Sequence, residues 1–317
     1  MTGKQNKNLK LLYDTALDQF IERIKQDKNI LAVYVYGSYV NGILGDHSDI
    51  DMIIVTNDEK TSGRYLNLQE NGIYIEADVI SRSDFRKQQK SFIHGSMTHH
   101  KLATSKLVYS IDNTISDFNR DLLKIAERDK ELQLMMNTEF LIGCLYKARK
   151  ALYIEKDLEK CFTWLIYLAG NLARILLLMN NNIPGRDVLV EVRELNNEII
   201  NEIMTKPIIA GINESNIIHT LTLVDEFLIK NKKILFKPLF SYLAEAGDAR
   251  SVSEIEDHFT RIYGGASWSG FLMLVSSFTW LTYHGDLMRI PTPKRITSKS
   301  KVTVDENSYY YLRGEMT

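Results

Sequence analysis

Tyr36-Gly37-Ser38 closes one short apolar run, and ten residues later Asp49-Ile50-Asp51 opens another. Ile30 to Tyr36 is apolar, β-branched or aromatic, the composition of a strand covered on both faces. Asp49 to Val55 predicts a second strand. Strand side chains alternate, so Asp49 and Asp51 share one face while Ile50 and Met52 take the other. Two carboxylates on one face of a rigid strand are suited to bridge a pair of hard cations. Gly37 and Ser38 stand where a strand ends, where glycine lets backbone N–H groups approach a phosphate and a hydroxyl can donate to one. Gly72 to Ile80 predicts a third strand with Glu76 and Asp78 on one side, about 6.6 Å apart, and either can complete the oxygen shell. Metals beside a phosphate cradle suit phosphoryl or nucleotidyl transfer better than hydride or acyl chemistry.

Around this centre the chain reads as an α+β protein of three domains. Residues 1–115 form a small mixed sheet with helices on one face: a helix over Leu9 to Lys28, the three strands, a polar connection between the second and third, and a short strand over Lys106 to Ser110. Residues 116–235 form a helical bundle, with periodic segments at Glu139 to Ile154, Phe162 to Met179 and Val188 to Met204, broken by Asn180 to Gly185. Residues 236–317 place helices at Pro238 to Ala246, Ser251 to Ile262 and Gly270 to His284 before an alternating tail, the order of a winged-helix module. Ser251 and Ser253 each have a Glu three positions on, so two capping-box registers compete.

Composition narrows the function. The chain has 317 residues, 39 Lys plus Arg and 40 Asp plus Glu, so no global field recommends nucleic acid or an anionic membrane. Two cysteines exclude a disulfide scaffold and a cysteine-built zinc site. The expectation is a cytoplasmic protein with no stretch of about 18 apolar residues to span a membrane. From Phe236 onward nine basic residues balance nine acidic ones, and the Gly270 to His284 segment has neither Lys nor Arg, which argues against duplex binding. A homodimer through that apolar helix is the expectation that accounts for its lack of charge.

Other polar residues have weaker claims. His47, His99 and His100 lie in polar segments and are expected at the surface. Lys147 and Lys150 share a helix face, and Arg174 interrupts an apolar helix, where it is expected to pair with a bundle carboxylate or to point into the interdomain cleft. Glu139 is expected to open a helix and to accept a proton from a substrate hydroxyl.

Gly37, Ser38, Asp49 and Asp51 resemble, position by position, the signature of the nucleotidyltransferase superfamily typified by DNA polymerase beta and the aminoglycoside and lincosamide nucleotidyltransferases. Gly42 and Ser48 are further expected members of the connection, and the resemblance covers about Leu31 to Ile80. It implies that Asp49 and Asp51 hold two Mg²⁺ ions, that Gly37 and Ser38, with Ser48, meet the triphosphate, and that a later strand supplies the third ligand. Asp78, in Ala-Asp-Val-Ile, looks like the usual third position, while Glu76 has the identity seen in the kanamycin branch; Asp78 is preferred. Lys147 and Arg174 would add positive charge for the leaving pyrophosphate. The implied activity is transfer of a nucleoside monophosphate, AMP above others, from ATP or another nucleoside triphosphate to a hydroxyl of a small molecule such as an aminoglycoside or lincosamide. The alternatives are modification of a protein or RNA end, or a regulatory DNA-binding protein with a vestigial site.

Overall fold

The computed structural model describes residues 3–45, 47–91, 97–122, 124–195, 198–205, 213–262 and 274–312. The chain separates into two compact units, Met1–Ile125 and Ala126–Thr317, so the expected bundle and the expected tail share one unit.

The N-terminal unit runs α1 (Gly3–Ile24), β1 (Ile30–Tyr36), β2 (Ile50–Thr56), β3 (Arg64–Glu70), β4 (Ile73–Ser81), α2 (Arg82–Ser91), α3 (Met97–Ala103), β5 (Lys106–Ser110) and α4 (Asn113–Asp121). The five strands form one sheet in the order β3-β4-β2-β1-β5. Only β2 and β4 pair in parallel. The helices cover both faces, not one as expected. Tyr13, Leu17 and Phe20 of α1 pack with Val33, Val35, Met52 and Ile75, while Phe85 of α2, Leu102 of α3 and Ile115 of α4 pack with Tyr34, Ile53 and Val55. The reason lies in β1 and β2, whose central residues are apolar at odd and even positions alike and are buried on both sides.

Strand β3 replaces the polar connection expected before the third strand. Arg64, Tyr65, Asn67 and Gln69 are exposed on this edge strand, so its apolar alternation is confined to Leu66 and Leu68. Asn71 and Gly72 turn the chain at φ 49° and 81°, and Glu70 pairs with Ile73, the two-residue hairpin that an Asn-Gly pair favours. His99, expected at the surface, is buried: its ring nitrogen lies 2.5 Å from the Leu122 carbonyl, which satisfies the imidazole inside the α3 and α4 packing. His100 stays half-buried and His47 exposed.

The C-terminal unit contains α5 (Glu127–Lys150), α6 (Leu158–Met179), several short helical turns, α7 (Glu214–Leu235), α8 (Lys237–Ala246), β6 (Arg250–Ser251), α9 (Val252–Ile262), α10 (Leu274–Tyr283), β7 (Leu287–Arg295) and β8 (Thr303–Tyr311). The strands of this unit make an antiparallel sheet in the order β6-β8-β7. Of the two capping registers, Ser251 with Glu254 forms: Glu254 accepts from the Ser251 N–H at 2.8 Å, and the Glu254 N–H donates to the Ser251 hydroxyl. Ser253 instead donates to Glu306 of β8.

The apolar helix α10 buries one face within its own unit, where Phe278 stacks on Tyr309 and Trp280 on Phe236, while Val275 and Tyr283 on its other side are exposed. The start of that expected helix, residues 270–273, lies outside the described residues. Among the described residues α6 alone is long and apolar enough on average to cross a membrane, and Leu165, Leu168, Leu172 and Leu176 of this helix are buried in the unit. Cys144 and Cys161 are free and buried.

Candidate functional site

Asp51 lies in β2, Asp49 one residue before it, and the parallel register with β4 sets Glu76 beside Asp51. Oxygen atoms of Asp49, Asp51 and Glu76 all lie within 4.8 Å of one another. Asp78 is outside this group. It leaves the same face of β4 one pleat farther on, beside Ile53, and accepts from the Lys101 ammonium at 2.8 Å. Of the two carboxylates expected as third, Glu76 is the one grouped with Asp49 and Asp51, while Asp78, the preferred one, faces Lys101 of α3.

The cluster is electrostatically loaded. Burial, together with the charges of Asp49 and Glu76, pushes the Asp51 carboxyl up from 3.8 to about 6; Lys101 opposes the shift and Asp78 adds to it. The Lys101 ammonium also lies 4.1 Å from the centre of the Tyr36 ring. Burial pulls this ammonium toward neutrality, but hydrogen bonds to Asp78 and Tyr36 outweigh burial and hold its pKa above the ordinary value. The exposed Tyr65 phenol is hydrogen-bonded to Glu76 and raised to about 12. Lys101, Tyr36 and Tyr65 were missed in the sequence reading. Tyr36 directly precedes Gly37 and had a signal to offer; Lys101 is distant in sequence and had none.

The connection from β1 to β2 is fixed against the carboxylates. Tyr36 pairs with Asp51, and Gly37 follows at φ +76°, so close that a Cβ there would stand 2.2 Å from Asp51 Oδ2. Glycine is required at this point by both the dihedral and the approach. The Asn41 N–H donates to the Gly37 carbonyl at 3.2 Å and the Ile43 N–H to the Ser38 carbonyl at 3.0 Å. The Gly45 N–H donates to the Ser48 hydroxyl at 2.9 Å, and the Tyr13 hydroxyl of α1 donates to the Ser48 carbonyl at 2.6 Å. Ser48, expected at the triphosphate, thus braces the entry to Asp49.

The remaining expected residues belong to the C-terminal unit and have local surroundings there. Glu139 does not open a helix: it lies in the middle of α5, is 2% exposed, and has one carboxylate oxygen without a hydrogen-bond partner among the described residues. Burial raises its pKa well above the ordinary carboxyl value. The Lys147 ammonium lies 4.3 Å from the centre of the Trp164 ring. Arg174 donates to the Gly185 carbonyl at 3.4 Å, and the Gly185 N–H donates to Glu191, so the guanidinium anchors the chain after α6. Burial lowers the Arg174 pKa and the Glu191 charge counters this.

Residues 18–114 match the sequence model of the family described as "Polymerase beta, Nucleotidyltransferase", a span that contains every carboxylate of the cluster. No curated protein matches the chain. Among solved structures, the fold is similar to that of a nucleotidyltransferase-like protein from Exiguobacterium sibiricum, with 14% sequence identity, a TM-score of 0.64, and coverage of 95% of this chain and 99% of that one. The signature, the carboxylate cluster and the family match converge on the same strands: the N-terminal unit carries a nucleotidyltransferase superfamily domain of the polymerase-beta kind.

Proposed function

We propose that this protein transfers a nucleoside monophosphate, AMP above others, from a nucleoside triphosphate to a hydroxyl group of a small molecule, with two Mg²⁺ ions bound at the carboxylate cluster. The observation that carries this reading is the approach of Asp49, Asp51 and Glu76 to within 4.8 Å, three acidic groups in which burial first, and then the charges of Asp49 and Glu76, raise the Asp51 pKa, and which hard cations would neutralise. The donor set is all oxygen, as Mg²⁺ prefers, and divalent cations bound there would neutralise charge building on the phosphoryl oxygens and activate the attacking hydroxyl.

In this reading Asp51 and Glu76, on adjacent strands, fix the separation of the ligands, and Gly37 keeps the space beside Asp51 free of side chain. The Gly37-Ser38 turn offers backbone N–H groups and a hydroxyl to the β- and γ-phosphates. Lys101 keeps Asp78 from joining the metal ligands and lowers the net charge of the cluster.

The test is incubation of the full chain with each labelled nucleoside triphosphate, Mg²⁺ and a panel of hydroxylated acceptors that includes aminoglycosides, lincosamides and cell metabolites. An acceptor heavier by one nucleotide, formed by the wild type and not by Asp51→Asn, is expected. Transfer undiminished in Asp51→Asn would overturn the assignment.

A further inference from the structure

Strand β3 lies at the edge of the sheet and runs antiparallel to β4, whose Glu76 and Asp78 leave the face that carries Asp51. The register sets Tyr65 opposite Asp78 and Asn67 opposite Glu76, so Tyr65 shares that face and is a diagonal neighbour of Glu76. Diagonal neighbours lie about 7–8 Å apart, a span that an aromatic side chain can bridge. Tyr65 bridges it: the phenol is hydrogen-bonded to the Glu76 carboxylate, and the residue is 57% exposed. A ring this exposed buries little apolar area, so packing does not account for a tyrosine at this position.

The phenol acts on Glu76 by occupying part of it. A phenol donates a single hydrogen bond, so one carboxylate oxygen of Glu76 is engaged and the other stays open. Lys101 engages the next carboxylate on the strand, Asp78, at 2.8 Å. Asp49, Asp51 and Glu76 then each offer one oxygen within 4.8 Å of the other two. Divalent ions differ in how they use such a set. Mg²⁺ takes six oxygens at about 2.0–2.1 Å and keeps several waters, while Ca²⁺ takes about six to eight at about 2.3–2.6 Å and readily uses both oxygens of one carboxylate. Hydrogen bonds that hold a ligating carboxylate change metal affinity by about 10- to 100-fold.

We propose that Tyr65 is a positioning residue that sets the metal preference of the cluster: its hydroxyl holds one oxygen of Glu76 out of the coordination shell and so favours Mg²⁺ over Ca²⁺. This rests on the reading of the carboxylate cluster as the metal centre of a nucleotidyl-transfer site. Tyr65→Phe keeps the ring and frees the second Glu76 oxygen. The larger ion then gains a ligand that the smaller, six-coordinate ion has no place for.

The experiment follows free Mn²⁺ by electron paramagnetic resonance as the full chain is titrated at pH 8, then displaces bound Mn²⁺ with Mg²⁺ and, separately, with Ca²⁺. Tyr65→Phe should move the ratio of the two displacing affinities toward Ca²⁺ by at least about tenfold. Tyr74→Phe removes another exposed phenol from the same face of β4 and should leave the ratio at its wild-type value. A general loosening of the hairpin would weaken both ions together and leave the ratio where it was. A ratio unchanged in Tyr65→Phe, moved toward Mg²⁺, or moved as far in Tyr74→Phe would therefore overturn the role of Tyr65 while the metal centre stood. Wild type that binds no Mn²⁺ would overturn the metal centre itself, and the proposed transfer with it.

Discussion

In the metal-free protein, replacing Asp51 by Asn should stabilise the fold at neutral and alkaline pH and have almost no effect in acid. The Asp51 carboxyl is raised from 3.8 to about 6, by burial first and then by Asp49 and Glu76. An acid whose pKa is higher in the folded than in the unfolded state opposes folding in its ionised form. Its penalty is absent below about pH 4, where both states are protonated, grows as the pH rises toward about 6, and is complete above that. A shift of about two units corresponds to about 3 kcal/mol, and screening by water in this half-buried cluster reduces it to about 1–2 kcal/mol. Asparagine is nearly isosteric and carries no charge, so the variant should gain that amount, a rise in Tm of about 3 to 8 °C for a unit of this size. Differential scanning calorimetry of both proteins in EDTA between pH 4 and 8 reads the effect. A variant less stable than wild type at pH 8, or a difference that does not change with pH, would refute the reasoning.

Gly37→Ala should cost about 1–3 kcal/mol in denaturant melts, because the new Cβ meets Asp51 Oδ2 at a positive φ; Gly42→Ala, at φ +71° with open space around it, should cost less, and equal losses would contradict the close approach. Lys101→Met removes a charge that holds the Asp51 pKa down, so the pH above which the Asp51 penalty is complete should move upward; an unchanged carboxyl titration followed by NMR would exclude that coupling. Glu139→Gln should lie within about 1 kcal/mol of wild type at pH 7, since burial keeps the native carboxyl largely protonated, and a loss of several kcal/mol would show an ionised, paired group instead.

The core strands and the carboxylate pair were legible because their signals are local. β1 and β2 are short apolar runs, and the alternation of β2 separates Asp51 from Met52 by itself. Strand β3 was not legible by periodicity, since only Leu66 and Leu68 turn inward, although Asn71-Gly72 carried a hairpin signal that went unread. The choice between Glu76 and Asp78 was beyond sequence reasoning: both leave one face of β4, and what distinguishes them is the β2 register and an ammonium 23 positions away at Lys101. His99 was misread for a similar reason, because its partner is the carbonyl of Leu122 and a polar neighbourhood in sequence says nothing of that. Glu139 was placed at a helix start by a segment boundary drawn too late, whereas α5 begins at Glu127.

The most direct test of the site is equilibrium binding of Mn²⁺, as a spectroscopic substitute for Mg²⁺, with a non-hydrolysable ATP analogue present, in wild type, Asp51→Asn, Glu76→Gln and Asp78→Asn. Asp51→Asn and Glu76→Gln should weaken binding by at least about 100-fold, since each removes a charged ligand from a site that must neutralise a divalent ion. Asp78→Asn should retain most of the wild-type affinity, because its carboxylate is engaged by Lys101. Wild-type affinity in Asp51→Asn, or loss in Asp78→Asn with retention in Glu76→Gln, would contradict the cluster of Asp49, Asp51 and Glu76 as the metal-binding centre.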